Sequence, residues 1–233
     1  MSHWLNTFLY GFYPYIAFTV FILGSWARYD YSQYTWRSGS SQLLHRGQLM
    51  IGSNLFHIGI LILFFGHFVG LLTPFWVLDA LHISHGFKQV MAMIVGGIAG
   101  TAAFIGLTLL IHRRLFVARI RATSSTADIV VLLALYAQLI LGLLTLPLSG
   151  QHLDGSEMVK FMHWAQGIVT FQAGASAYVM DVPWIFKLHL FLGMTLFLIF
   201  PFTRLVHIWS APVWYLLRPG YQVVRTKLKK LQS

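Results

Sequence analysis

Four histidines, His57, His67, His189 and His207, stand in or at the edge of apolar stretches nearly free of charge. An ionisable side chain at bilayer depth is costly and marks a functional position. A single one could be no more than an interhelical hydrogen bond. Two on each of two segments ask for more. Zinc takes four ligands, usually with a thiolate or carboxylate among them, and no acid lies near these histidines in the sequence. Haem iron takes two axial nitrogens and buries a large apolar ring. Two imidazoles on one iron leave no open coordination position, which suits electron transfer rather than oxygen binding. The chain has no cysteine, so covalent attachment of the c type is excluded. The four histidines therefore read as the iron ligands of two non-covalent, b-type haems.

The elements that must hold them are transmembrane helices. Of 233 residues, 57% are hydrophobic and 9% charged, against about 25% charged in soluble domains. Mean hydropathy is +0.69. Disorder, a coiled coil and a water-exposed enzyme domain are excluded. No Lys, Arg, Asp or Glu occurs in residues 1–27, 47–78, 89–112, 129–153 or 188–203. A bilayer core needs about 20 helical residues. The last interval is shorter, but Lys187 and Arg204 at its ends can snorkel. The sequence thus predicts an all-α integral membrane fold. It is a single domain over 1–233 with five transmembrane helices at about 4–28, 50–72, 89–112, 127–148 and 184–209. Aromatic residues near several ends (Trp4, Trp26, Tyr29, Trp76, Trp209, Trp214) fit interfacial belts. The first cation, Arg28, follows the first apolar run, which argues for an uncleaved helix rather than a signal peptide.

Orientation follows from the basic residues. Arg28, Arg37 and Arg46 follow the first span, and Arg113, Arg114, Arg119 and Arg121 the third. Arg204, Arg218, Arg225, Lys227, Lys229 and Lys230 follow the fifth. Lys88, Lys160 and Lys187 face the other side with Asp79, Asp154, Glu157 and Asp181. The positive-inside rule places the N-terminus outside and the C-terminus in the cytoplasm. The net charge of +10 then reflects topology and not nucleic-acid binding. A basic tail over 210–233 is a candidate docking surface for a partner or for anionic membrane lipid. Residues 156–171 predict a helix along the outer surface, the competing reading being an ordinary loop.

Helices two and five run antiparallel, so level partners are His57 with His207 and His67 with His189. Ten residues span about 15 Å of helix and eighteen about 27 Å. Tilt and ring size must absorb the difference. Gly59, Gly66 and Gly70 would let a macrocycle approach the second helix. Arg204, Arg113 and Arg114, with Arg28 and Arg37 on the same side, are candidate propionate contacts. The same residues would also be expected from the topology signal alone.

Several segments resemble the gamma subunit of respiratory nitrate reductase, a membrane cytochrome b. They include SNLFHIGILILFFGHFVGLLTP (53–74), RRLFVARIRAT (113–123), GLLTLPLSGQHLDGSEM (142–158) and FKLHLFLGMTLFLIFPFTRLVHIWSAPVWYL (186–216). The resemblance covers nearly the whole chain and all four histidines. It implies His57/His207 for the haem proximal to the partner subunits and His67/His189 for the distal one. It implies a bacterial inner-membrane location, and a quinol substrate, ubiquinol or menaquinol, oxidised on the outer side near the distal haem. Electrons would then reach a cytoplasmic iron–sulfur subunit and a molybdenum subunit that reduces nitrate to nitrite. Lys88 and Gly66 match a lysine and a glycine that shape the family's quinol site. Lys88 is also the one cation on the outer side of the third span, where an ammonium can hydrogen-bond a quinone oxygen; a lipid-headgroup anchor is the competing role. The stretch LDALHISHGF before Lys88 departs from the family pattern with His82 and His85. Two other readings compete. A gamma-like cytochrome b of a hydrogenase, formate dehydrogenase or disulfide reductase would share the histidines. A transporter using them as a proton relay would pair them with mid-span acids and break its helices at Gly or Pro.

Overall fold

The computed structural model describes residues 2–36 and 46–210. Arg37, Trp214, Arg218, Arg225, Lys227, Lys229 and Lys230, and with them nearly all of the basic tail, lie outside the described residues. Five helices are long and apolar enough to cross a membrane, and there is no strand among the described residues. Helix α1 covers His3–Tyr31, α2 Arg46–Leu72, α3 His85–Phe116 and α4 Thr126–Ser149. A shorter helix α5, Ser156–Val169, precedes α6, Trp184–Ile199.

Local chemistry explains where these helices start and bend. Ser84 caps α3 by accepting the Phe87 N–H, and Ser125 with Asp128 forms a capping box at the start of α4. Within α1 a π turn, Phe8–Phe12, ends two residues before Pro14. Proline has no N–H to offer the Tyr10 carbonyl, and the Trp164 indole of α5 donates to that oxygen at 2.9 Å instead.

Helices α2 and α3 meet through small residues. A methyl on Gly106 would stand 2.4 Å from the Phe56 nitrogen and 2.7 Å from the Gly52 carbonyl oxygen; one on Gly59 would stand 2.5 Å from the Ala99 carbonyl oxygen. Close backbone approach supplies the dispersion contacts that hold helices together in lipid, where no hydrophobic drive acts between them. The expectation that Gly59 gives room to a macrocycle is corrected: it faces α3. Gly66 and Gly70 do face open space, with nothing within 4 Å of an added Cβ.

The segment after α4 is a helix and not a loop. Gly155 takes φ +87°, which favours glycine, and a Cβ there would lie 2.5 Å from the His85 carbonyl carbon. Helix α5 then folds over one end of the bundle and buries Met162, Trp164, Ala165, Gly167 and Ile168. Its Gln166 amide donates to the carbonyls of Leu71 and Thr73 at 3.1 and 3.0 Å, tying the lid to the end of α2.

The fifth span is not one straight helix to residue 209. Helix α6 stops at Ile199; 3-10 turns follow over Phe200–Phe202 and Arg204–Ser210, separated by an extended Thr203 at φ −122°, ψ 179°. Pro201 removes a helical donor. The Arg28 guanidinium of α1 satisfies the exposed carbonyls, donating to Pro201 at 2.6 Å and Thr203 at 2.8 Å. One turn earlier, Gly24 gives Pro201 its room: a Cβ there would come within 2.9 Å of the proline ring.

Candidate haem-ligating histidine pairs

The fold brings the four histidines together in two pairs, each joining α2 to the fifth span. The rings of His57 and His207 have centres 6.4 Å apart with planes 72° apart. Those of His67 and His189 are 6.1 Å apart at 40°. A metal–imidazole bond of about 2.0 Å on each side, plus about 1.15 Å from nitrogen to ring centre, would place two rings on opposite sides of one metal about 6.3 Å apart. Each pair is thus spaced to take one metal atom between its rings. Among the described residues no group of three or more His, Asp or Glu gathers anywhere to hold an ion. A pair of imidazoles alone is too few ligands for zinc. It is the full protein share for an iron whose other four ligands come from a macrocycle, so the residues present fit haem.

Straight helices would leave the pairs out of step by about 12 Å. That straight-helix spacing does not apply to His207, which lies on the 3-10 segment beyond the break at Pro201–Thr203.

Three of the four rings are held by their own chain. Nδ1 of His57 donates to the Ser53 carbonyl at 2.7 Å, Nδ1 of His67 to Leu63 at 2.7 Å, and Nδ1 of His207 to Arg204 at 2.6 Å. A carbonyl can only accept, so the proton is on Nδ1 and the Nε2 lone pair is left for a metal. His189 differs. Its ring lies against Gly142 of α4, where a Cβ would come within 3.0 Å of Cε1.

The cations group around the His57/His207 pair. Arg114 reaches Asp128 at 3.3 Å and the Ser124 hydroxyl at 3.0 Å; Arg204 reaches the other oxygen of Asp128 at 3.8 Å. Arg113 is buried. Arg28 is engaged by the backbone of the break and by Thr35. Sequence reasoning passed over Asp128, whose signal is its place as an acid among the basic residues of that end.

At the other end Lys88, half-buried, donates to the Met162 thioether at 3.3 Å, a weak acceptor. Gly66 adjoins His67 and opens on free space. His85 and His163 flank Phe75, with ring centres at 5.7 and 4.5 Å. The helix break expected of a transporter is present at Pro201, but among the described residues no carboxylate is within ion-pairing distance of the four histidines.

Comparison with known proteins places the chain in a family. A profile of the nitrate reductase gamma subunit matches residues 6–227. The respiratory nitrate reductase 1 gamma chain of Escherichia coli K12 is 57% identical over 96% of this chain and 98% of its own length. The respiratory nitrate reductase 2 gamma chain of the same organism is 55% identical over 97% and 100%. The nitrate reductase gamma chain of Bacillus subtilis 168 is 41% identical over 94% and 97%. With five apolar spans and these full-length matches, the chain is a multi-pass bacterial membrane protein that belongs to the nitrate reductase gamma subunit family.

Proposed function

We propose that this chain is the two-haem, quinol-oxidising membrane subunit of a respiratory nitrate reductase. His57 and His207 hold the proximal haem near the basic, cytoplasmic end, and His67 and His189 hold the distal haem near the outer end. The observation that carries this reading is the spacing of both imidazole pairs, 6.4 and 6.1 Å. When bound, an iron with two nitrogen ligands supplies one-electron exchange without an open position. The Nε2 atoms bind, and the Nδ1 hydrogen bonds orient the rings and raise their basicity. Arg114 and Arg204, steadied by Asp128, are placed to meet propionates at the proximal site, with Arg113 beside them. The acceptors beyond are an iron–sulfur subunit and a molybdenum subunit on the cytoplasmic face, where nitrate is reduced; the basic tail supports docking there.

Lys88 and Gly66 form the quinol site. The Lys88 ammonium donates to a quinol oxygen and stabilises the anion left by proton loss, and Gly66 leaves room for the ring beside His67. Helix α5, closing that end, limits access of water while protons leave on the outer side. Lys88→Ala should slow quinol oxidation about 10- to 100-fold, the equivalent of one charged hydrogen bond of about 1.5–3 kcal/mol, with both haems retained. Stopped-flow haem reduction by quinol checks this, and an unchanged rate would leave Lys88 the role of headgroup anchor.

The ring planes give a second test. Were a ferric haem held between each pair, imidazole planes nearer the perpendicular would bring two iron d orbitals closer in energy and enlarge the g anisotropy. The 72° pair, His57/His207, should therefore give a low-field electron paramagnetic resonance signal at larger g than the 40° pair, His67/His189. A single signal would contradict two distinct sites.

A further inference from the structure

His189 is the one ligand of the four whose Nδ1 makes no hydrogen bond; that atom is buried without a protein partner. Helix α4 packs against this residue, at both its backbone and its ring. Gln138, a polar residue in the middle of an apolar span, turns its amide toward α6 and donates from Nε2 to the backbone carbonyl of His189 at 3.1 Å. One turn on, Gly142 leaves room for the Cε1 edge of the His189 imidazole. The other half of the arrangement is on α6. Gly193 is one turn after His189, and a Cβ there would stand 3.2 Å from Gln138 Nε2. The absent side chain opens the way to a carbonyl that a helix normally keeps to itself. Gln138 Oε1 is also buried without a partner. It is an acceptor on the helix facing His189, whose Nδ1 must carry the proton if Nε2 ligates iron.

We propose that Gln138 is the positioning residue of the distal haem ligand, holding His189 from α4 in place of the carbonyl anchor that the other three histidines find in their own chain. This rests on the haem reading above. It makes the His67/His189 site dependent on the α4–α6 contact, whereas the His57/His207 site depends on α2 and the break after α6.

The test uses the assembled complex. Gln138→Met keeps the length and apolar fit of the side chain and removes the amide. It should move the low-field g value of the His67/His189 signal, leave the His57/His207 signal in place and keep two haems per chain. An unchanged distal signal in Gln138→Met overturns the proposal. So does an equal shift of both signals. A parent protein without two signals overturns the haem reading itself, a different and separately visible failure.

Discussion

His67→Ala should leave one haem per chain where the parent holds two, and the haem that remains is the one at His57/His207. Removing an orienting partner of a metal ligand typically costs 10- to 100-fold in affinity, so losing the ligand itself should cost on the order of 100-fold or more. The proximal ligands are anchored independently, His57 on the Ser53 carbonyl and His207 on that of Arg204, and neither bond touches His67. Quinol-driven nitrate reduction should fall on the order of 100-fold with the distal ligand gone. Reduction driven by a soluble dye that feeds the partner subunits directly should continue. His189→Ala should behave the same way. If His67→Ala instead removed both haems, or lost the larger-g signal, the pairing would be wrong.

Arg28→Met should abolish the proximal site and spare the distal one. The guanidinium holds the two carbonyls at the break, those of Pro201 and Thr203, and bridges to Thr35. Without it two backbone acceptors in a largely apolar setting lose their donor, at about 1–3 kcal/mol each. His207 stands four residues beyond Thr203 on a short 3-10 segment that nothing in α6 can hold straight. Arg28→Lys should restore part of the site, because both break carbonyls bond one guanidinium nitrogen, a place an ammonium can take, while the bonds from Nε and Nη2 to Thr35 are lost. Haem content and the larger-g signal of the solubilised complex report the outcome. A proximal site intact in Arg28→Met would show that the break is held by something else.

Much of this was legible from spacing and charge. Charge-free intervals locate five spans because hydrocarbon excludes charge over about 20 residues, and antiparallel direction alone pairs His57 with His207 and His67 with His189. The Pro201 break was missed, since five full helical turns between His189 and His207 give an apparently good face match. Only the backbone shows that Pro201, Gly24 and Arg28 act together, because their partners are carbonyls, which every residue has. Gly59 was misread for a related reason. A glycine near a ligand and a glycine at a helix crossing look alike until the facing helix is placed. Gln138 carried a signal, one amide in an apolar span, that goes unread when only titratable groups are weighed.

The central claim is that each histidine pair holds one b-type haem. A reduced-minus-oxidised optical spectrum, with the haem quantified as its pyridine haemochrome, tests it most directly. Two haems b per chain is the expected result. One haem would contradict the two-site pairing, and none would contradict the whole account.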